Sequence, residues 1–299
     1  MSTMSKASIL VGVDGSEVAL AAVRWAAVDA AHRRAPLHLV SLTGVVGDYD
    51  PPVAIERSVP ARYRWGGSDA LDIAYATAVA ESAPINRIEV TAELTDAAPI
   101  PVLRRRSEHA RLLAVGTRAL GAFDRAMLGS LSTALARQAG CPVAVIPHDV
   151  EHGDGPVVVG VDASDSSAAA VELAFEEAAF RGADLVATHA FSTCGDGSLV
   201  ESREQAEEFL DRSLADYSEA YPEVTVRRVV VEGRPARRLL EVGEKAQSIV
   251  VGSRGHDELP SMPLGSVSRA VLHGAEVPVI ITRPASLAPH PSTRERHLP

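Results

Sequence analysis

Two passages of this chain place the same residue types at the same spacing. Residues 115–132 read VGTRALGAFDRAMLGSLS and residues 251–268 read VGSRGHDELPSMPLGSVS. Each closes an apolar run, passes through a glycine-containing loop and ends on Leu-Gly-Ser at the start of a helical pattern. In the second passage two residues separate Gly252 from Gly255, and nine more precede Gly265-Ser266. Glycine admits positive φ and lets a ligand come close to the backbone. Successive N–H groups form an anion nest, and a helix N-terminus adds its own N–H groups and dipole. With Arg254 supplying charge, the chemistry this layout serves is the cradling of a phosphate. For one loop alone, a glycine-rich turn with serine as helix N-cap explains the residues equally well. Recurrence of most of the pattern at 116–130 favours the phosphate.

The loops are neither of two common phosphate motifs. GxxxxGK[ST] is absent from both halves. A dinucleotide GxGxxG would follow the first strand, which here ends in Asp14-Gly-Ser or Asp162-Ala-Ser. A carboxylate at that point can accept from an adenine amino group or a ribose hydroxyl; an Asx-type cap on the next helix is an equally good reading. Asp96 and Glu232, which match across the halves at the end of the third strand, read better as caps of the third helix than as site residues.

The elements that must position these loops come from a duplication. VGVDGS at 11–16 matches VGVDAS at 159–164, an offset of 148, whereas Val115, Gly129 and Pro142 match Val251, Gly265 and Pro278 at 136. The first half therefore carries about 12 extra residues between its second and third strands. Continuous β-branched apolar runs predict parallel strands near 7–13, 37–43, 87–94, 112–115 and 143–146, and again near 156–161, 184–190, 224–231, 248–252 and 278–282. Helices are predicted over 17–33, where Val18, Ala22, Trp25 and Ala26 recur at helical spacing, over 68–82, over 99–109 with Pro99 in the first turn, over 130–139, and in the second half over 199–220. Alternating strands and helices imply a doubly wound α/β fold, an open parallel sheet with helices on both faces. Ligands on such sheets bind beyond the carboxyl ends of the strands where strand order reverses. If strands 1 and 4 are neighbours, their loops share one crevice. The expected division is a first domain at 1–147, a linker at 148–155, a second domain at 156–284 and a disordered tail at 285–299. The loop at 51–66 mixes arginine with Tyr63 and Trp65; it reads as a partly packed surface loop, with a lid or partner surface as the alternative.

Composition narrows the function. The 299 residues are 46% apolar and 23% charged, enough for two cores of ordinary size. The net charge of −10 argues against nucleic-acid binding. Two cysteines, Cys141 and Cys194, exclude a disulfide framework. No run approaches the ~18 apolar residues of a membrane span, and no secretion signal is visible, so a soluble cytoplasmic protein is expected. Ten scattered histidines show no metal-ligand spacing.

VGVD[GA]S, VG[ST]RG with its glycine spacing, LGSVS and a final [CV]PV strand together resemble the universal stress protein family, here in its tandem form, over about residues 7–283 apart from 44–67. The resemblance implies two Rossmann-like, five-stranded domains related to the adenine nucleotide alpha hydrolases. Each would bind ATP or a related adenine nucleotide, with Mg²⁺ as an optional companion. It also implies pairing of domains through the last strands, within the chain or in a homodimer. The functional reading is a protein that senses or stores adenine nucleotide, a nucleotide-dependent stress-response sensor or regulator acting on an unidentified protein partner. Carried over by residue, it puts Gly12, Val13 and Asp14, and Gly160, Val161 and Asp162, beside adenosine. Leu42 and Ala190 would wall the base. Gly116, Thr117, Arg118, Gly129 and Ser130, and Gly252, Ser253, Arg254, Gly255, Gly265, Ser266 and Val267, would meet the phosphates. It implies no catalytic residue; a slow ATP hydrolase or nucleotidyl transferase, or an interaction module with vestigial sites, are the alternatives. The halves depart from the pattern differently. The first has Ala119 for the second glycine, costing about 1–2 kcal/mol if a left-handed backbone is required there. It also has Ser41 where the second has His189. The second half keeps every glycine but adds Asp257 and Glu258 to the loop. The second half is expected to be the better site.

Overall fold

The computed structural model describes residues 8–42, 67–95, 97–117, 130–148, 153–191, 202–255 and 264–284. Expectations that fall on residues 1–7, 43–66, Asp96, 118–129, 149–152, 192–201, 256–263 and 285–299 lie outside the described residues, as do those on the side chains of Leu42 and Ser130. The first half contains β1 (Ile9–Val13), α1 (Glu17–Arg33), β2 (Leu37–Leu42), α2 (Gly67–Ser82), β3 (Val90–Thr95), α3 (Pro99–Ser107), β4 (Leu112–Gly116), α4 (Ser130–Gln138) and β5 (Val143–Ile146). The second contains β6 (Val157–Gly160), α5 (Asp165–Arg181), β7 (Leu185–Phe191), α6 (Arg203–Ala220), β8 (Val226–Glu232), α7 (Pro235–Gly243), β9 (Ser248–Gly252), α8 (Ser266–Gly274) and β10 (Val279–Thr282).

All the described strands form one sheet, ordered β3-β2-β1-β4-β5-β10-β9-β6-β7-β8. Within each half every pairing is parallel. The junction is antiparallel, with Val143 opposite Ile281 and Val145 opposite Val279. The last strands therefore pair within the chain, and each shields an edge that would otherwise offer unpaired N–H and C=O groups. Strand alternation sends Ile9, Val11 and Leu37 into one core with α1, α2, α5 and α6, while Leu10, Val40 and Leu113 enter a second core with α3, α4, α7 and α8. Both cores run across the junction.

Helix ends follow local chemistry. Ser16 and Ser164 accept from Ala19 N (3.2 Å) and Ser167 N (3.1 Å), capping α1 and α5. The helices end on Arg34 (φ 51°) and Gly182 (φ 62°), both left-handed. α6 begins with a capping box between Ser202 and Gln205. Pro235 opens α7 behind its N-cap Arg234, which makes no side-chain capping bond; Glu232, the residue expected to cap this helix, is the last residue of β8.

A buried charge cluster joins α1 to α5 across the two halves. Arg33 bonds Asp29 (2.9 Å) and Glu177 and approaches Glu176 (3.6 Å). Arg181 bonds Glu177 (2.9 Å) and Asp29 (2.7 Å), and Arg111 reaches Glu176 (2.6 Å). Asp29 and Arg33 become Glu177 and Arg181 at the same offset of 148 as the VGVD motif, so the cluster lies on the pseudo-twofold of the molecule. Burial alone would raise the Asp29 pKa, but the Arg33 and Arg181 guanidiniums outweigh it and hold the carboxyl below its usual range.

Candidate crevices at the ends of the first and fourth strands

β1 lies beside β4, with Ile9 opposite Leu112, and β6 lies beside β9, with Val157 opposite Ser248. Each half thus has its strand-order reversal between the two strands whose loops carry the motifs. The second half is described most fully. Asp162 follows β6, and its Oδ1 accepts from Ser164 N (2.9 Å) and Ser164 Oγ (2.5 Å). Ser164 Oγ also lies 3.2 Å from the Arg254 carbonyl, which ties the first turn to the fourth-strand loop. Asp162 N donates to Ser167 Oγ at 2.9 Å. The other carboxylate oxygen faces Gly255, where a Cβ would sit 3.2 Å from Asp162 Oδ2.

Asp14 is held in the same way, with Oδ1 accepting from Ser16 N (3.0 Å) and Oγ (2.6 Å). The aspartates are therefore not themselves the helix caps; they brace the serines that are. Asp14 Oδ2 is buried and has no hydrogen-bond partner among the described residues. A buried acceptor left unmade costs about 1–3 kcal/mol, which a hydroxyl or amino donor would recover.

The fourth-strand loop is stapled at one residue. Ser253 N donates to Thr282 O (2.7 Å), and Ser253 O accepts from Gly265 N (2.7 Å). The chain thus leaves β9 at Gly252 and re-enters beside it at Gly265, bringing Ser253, Arg254, Gly265, Ser266 and Val267 together. Ser253 Oγ is buried without a partner among the described residues. The N-cap of α8 is Gly265, with no side-chain capping bond, and Ser266 is already the first helical residue. The serine-cap reading of this loop therefore fails, and α8 begins without a side-chain bond from its N-cap residue. In the first half Thr117 N makes the equivalent bond to Ile146 O (2.9 Å), and α4 opens at Ser130. Arg118 and Gly129 lie outside the described residues.

The glycines act differently from their expected roles. A Cβ on Gly116 would stand 2.7 Å from the Val18 carbonyl oxygen, and one on Gly252 would stand 2.7 Å from the Ser166 backbone. Both residues let the end of the fourth strand touch the first turn of the opening helix of the same half, α1 or α5. The first glycine of the motif is thus a packing requirement, and neither it nor Gly255 has positive φ. Gly255 is small because Asp162 is close, so a left-handed backbone is not what the second glycine supplies. Gly12 is buried within β1, and Gly160 lies under Leu239, where a Cβ would fall 2.9 Å from Leu239 Cδ1.

Val13 and Val161 are buried at the strand ends. Ala190 is half-buried in β7. Its neighbour His189 is buried, with Nδ1 2.8 Å from the Val161 carbonyl and its ring 4.8 Å from that of Phe209. Residues that the sequence reading did not include are Ser164, which links the two loops, and Thr282, which holds Ser253. Ser164 carried a signal, since it recurs as Ser16 inside the repeated hexapeptide; Thr282 carried none, because its counterpart is Ile146.

Among the described residues no group of three histidine, cysteine or carboxylate side chains could hold a metal ion, and no helix is long and apolar enough to cross a membrane. The model of the Universal stress protein family matches residues 7–147 and again 155–283. A universal stress protein of Mycobacterium tuberculosis, Rv2005c, is 40% identical over 293 residues, covering 92% of this chain and 96% of that one. A second from the same organism, Rv2623, is 39% identical over 298 residues, covering 93% and 97%. A crystal structure of a universal stress protein from Archaeoglobus fulgidus shares the fold, with a TM-score of 0.65 at 21% identity over 92% of this chain and 98% of that one.

Proposed function

The chain belongs to the universal stress protein family, and from that premise we propose that each half binds one adenine nucleotide, with ATP and its Mg²⁺ as the natural form. The observation that carries the reading is the convergence, at the strand-order reversal, of a braced carboxylate and a stapled backbone turn that opens a helix without a side-chain cap. The carboxylate side suits a ribose or adenine donor: one oxygen of Asp14 is committed to Ser16 and the other is buried without a partner among the described residues. The turn at Ser253, Gly265 and Ser266 supplies N–H groups and a helix dipole to phosphate, and Arg254 supplies charge. Leu42 and Ala190 wall the base, and Gly116, Thr117, Arg118, Gly129 and Ser130 serve the phosphates of the first half.

These groups suit binding. Asp162 is held on one oxygen by two hydrogen bonds from Ser164, which makes it a poorly placed general base. The two helices that start at the aspartate turns, α1 and α5, also meet in the buried charge cluster. That continuity supports a sensor role, in which occupancy alters the surface offered to a regulatory partner. Identical limited-proteolysis patterns with and without saturating ATP would count against the sensor.

The test of the binding reading is calorimetric titration of the full chain with ATP and Mg²⁺, together with Ser130→Asp and Ser266→Asp, each of which sets a like charge against phosphate in one half. Two equivalents are expected in the parent, with the second half about tenfold tighter, a difference of about 1.4 kcal/mol. Ser266→Asp then removes the tighter phase and Ser130→Asp the weaker. Absence of binding at millimolar ATP overturns the reading; two equal phases overturn the inequality alone.

A further inference from the structure

Arg283 follows β10 by one residue and leaves its own half. Its NH1 donates to the Arg137 carbonyl (2.7 Å) and the Ala139 carbonyl (3.3 Å) at the carboxyl end of α4 in the other half. That end carries the negative pole of the helix, which anchors a cation. The position has no counterpart in the first half, where the equivalent residue is Pro147. The anchor matters because of where the antiparallel junction puts it. Thr282, the residue before, accepts from Ser253 N at 2.7 Å, and Thr282 lies opposite Gly252 in the β9–β10 ladder. Arg283 is therefore one residue beyond the strand end that holds the phosphate turn, and Arg254 lies just beyond the same end of β9. Burial, with the like charge of Arg254 added, lowers the Arg283 pKa from the ordinary arginine value. Two guanidiniums that follow the same ends of paired strands favour an anion of high charge, which both can contact through charge-assisted bonds.

We propose that Arg283 is a specificity-determining residue of the second-half site, a second cation that α4 of the first half positions to distinguish adenine nucleotides carrying a polyphosphate chain from the monophosphate. The inference rests on the reading of that crevice as a nucleotide site. A monophosphate fills the Ser253–Gly265–Ser266 turn and ends there; a longer chain extends past Arg254 toward Arg283.

The experiment is calorimetry of the full-length chain with ATP and, separately, AMP, in a Ser130→Asp background that mutes the first half. Arg283→Gln keeps an N–H donor for the α4 carbonyls and removes the charge, and Arg283→Lys keeps the charge. Arg283→Gln is expected to weaken ATP about tenfold and AMP less than twofold, and Arg283→Lys to keep ATP within about threefold of the background. Equal losses for ATP and AMP would reduce Arg283 to a helix anchor, and no loss for either would remove it from the site; both results overturn the proposal. If the Ser130→Asp background itself binds neither nucleotide, the site reading has failed, and the proposal falls with it for a distinguishable reason.

Discussion

At the turn after the first strand the two halves hold their carboxylates alike and bend their backbones differently. Asp14 and Asp162 each accept two bonds from a serine two residues on, yet Gly15 between them has φ 79° in the first half, whereas Ala163 in the second has no positive φ. The contrast reverses at the other end of the same helices, where Arg34 takes φ 51° and its counterpart Gly182 takes 62°. At the end of the fourth strand both halves keep glycine, and a Cβ on either one would stand 2.7 Å from the opening helix. A conformational preference worth about 1 kcal/mol can drift between copies of a fold. A clash with backbone cannot, because no rotamer change relieves it. The shared glycines at the fourth strand thus report packing, and the unshared Gly15 and Gly182 report local backbone angle.

The charge cluster sets the halves against each other most sharply. Arg33 faces three carboxylates, Asp29, Glu176 and Glu177, and its pseudo-equivalent Arg181 faces two, Asp29 and Glu177. Removing one partner of a buried ion pair leaves uncompensated charge and costs about 3–5 kcal/mol. Arg33→Ala is expected at the top of that range and Arg181→Ala below it, measured by urea unfolding. The asymmetry arises because Glu176 has Val28 as its counterpart and takes a second partner in Arg111. Equal losses would mean that Arg111 alone satisfies Glu176.

Smaller effects are expected where the halves differ in backbone. Gly15→Ala forces a side chain into positive φ and should cost about 1–2 kcal/mol. Gly182→Ala meets nothing within 4 Å and should cost about 1 kcal/mol from backbone strain alone. Arg34→Gly should move the other way and raise stability by up to about 1 kcal/mol, part of the relief being offset by the freer unfolded chain. Thermal unfolding of the three variants checks the signs. A loss on Arg34→Gly would show that the arginine side chain contributes more than its left-handed backbone costs.

The sequence pattern exposed the elements well where runs were long and apolar. α1 and β5 fall at their expected limits, while β3 begins three residues late, at Val90, because Arg87 and Glu89 flank Ile88 ahead of the paired stretch. The neighbouring of strands 1 and 4 was readable because both their loops were duplicated. The cluster at Asp29 and Arg33 was not recognised, although its signal was present: an oppositely charged pair on the buried stripe of Ala22, Trp25 and Ala26, repeated at the motif's own offset. Charge on a helix is ordinarily solvated, and only the partner half makes this pair interior. Arg283 was invisible for a related reason, since its contacts lie across the junction on residues 144 and 146 positions away.

The finest contrast concerns Cys141, buried at the start of β5 where the second half has the partly exposed Val277. Near neutral pH Cys141→Val changes little but shape, so stability should shift by less than about 1.5 kcal/mol. The difference emerges in alkali. Burial pushes the Cys141 thiol up to about 12, while an unfolded thiol ionises near about 8.5. The folded form therefore contributes stability that is fully present below the unfolded value and is lost as pH rises toward the folded one, at roughly 1.4 kcal/mol per pH unit in between. The variant lacks this loss, so it should gain on the parent steadily above about pH 8.5. Every other titrating group is common to both proteins, and the comparison isolates one thiol. Parallel unfolding profiles from pH 7 to 10 would mean that Cys141 ionises in the folded chain, and hence that solvent reaches the start of β5 beside the strand junction.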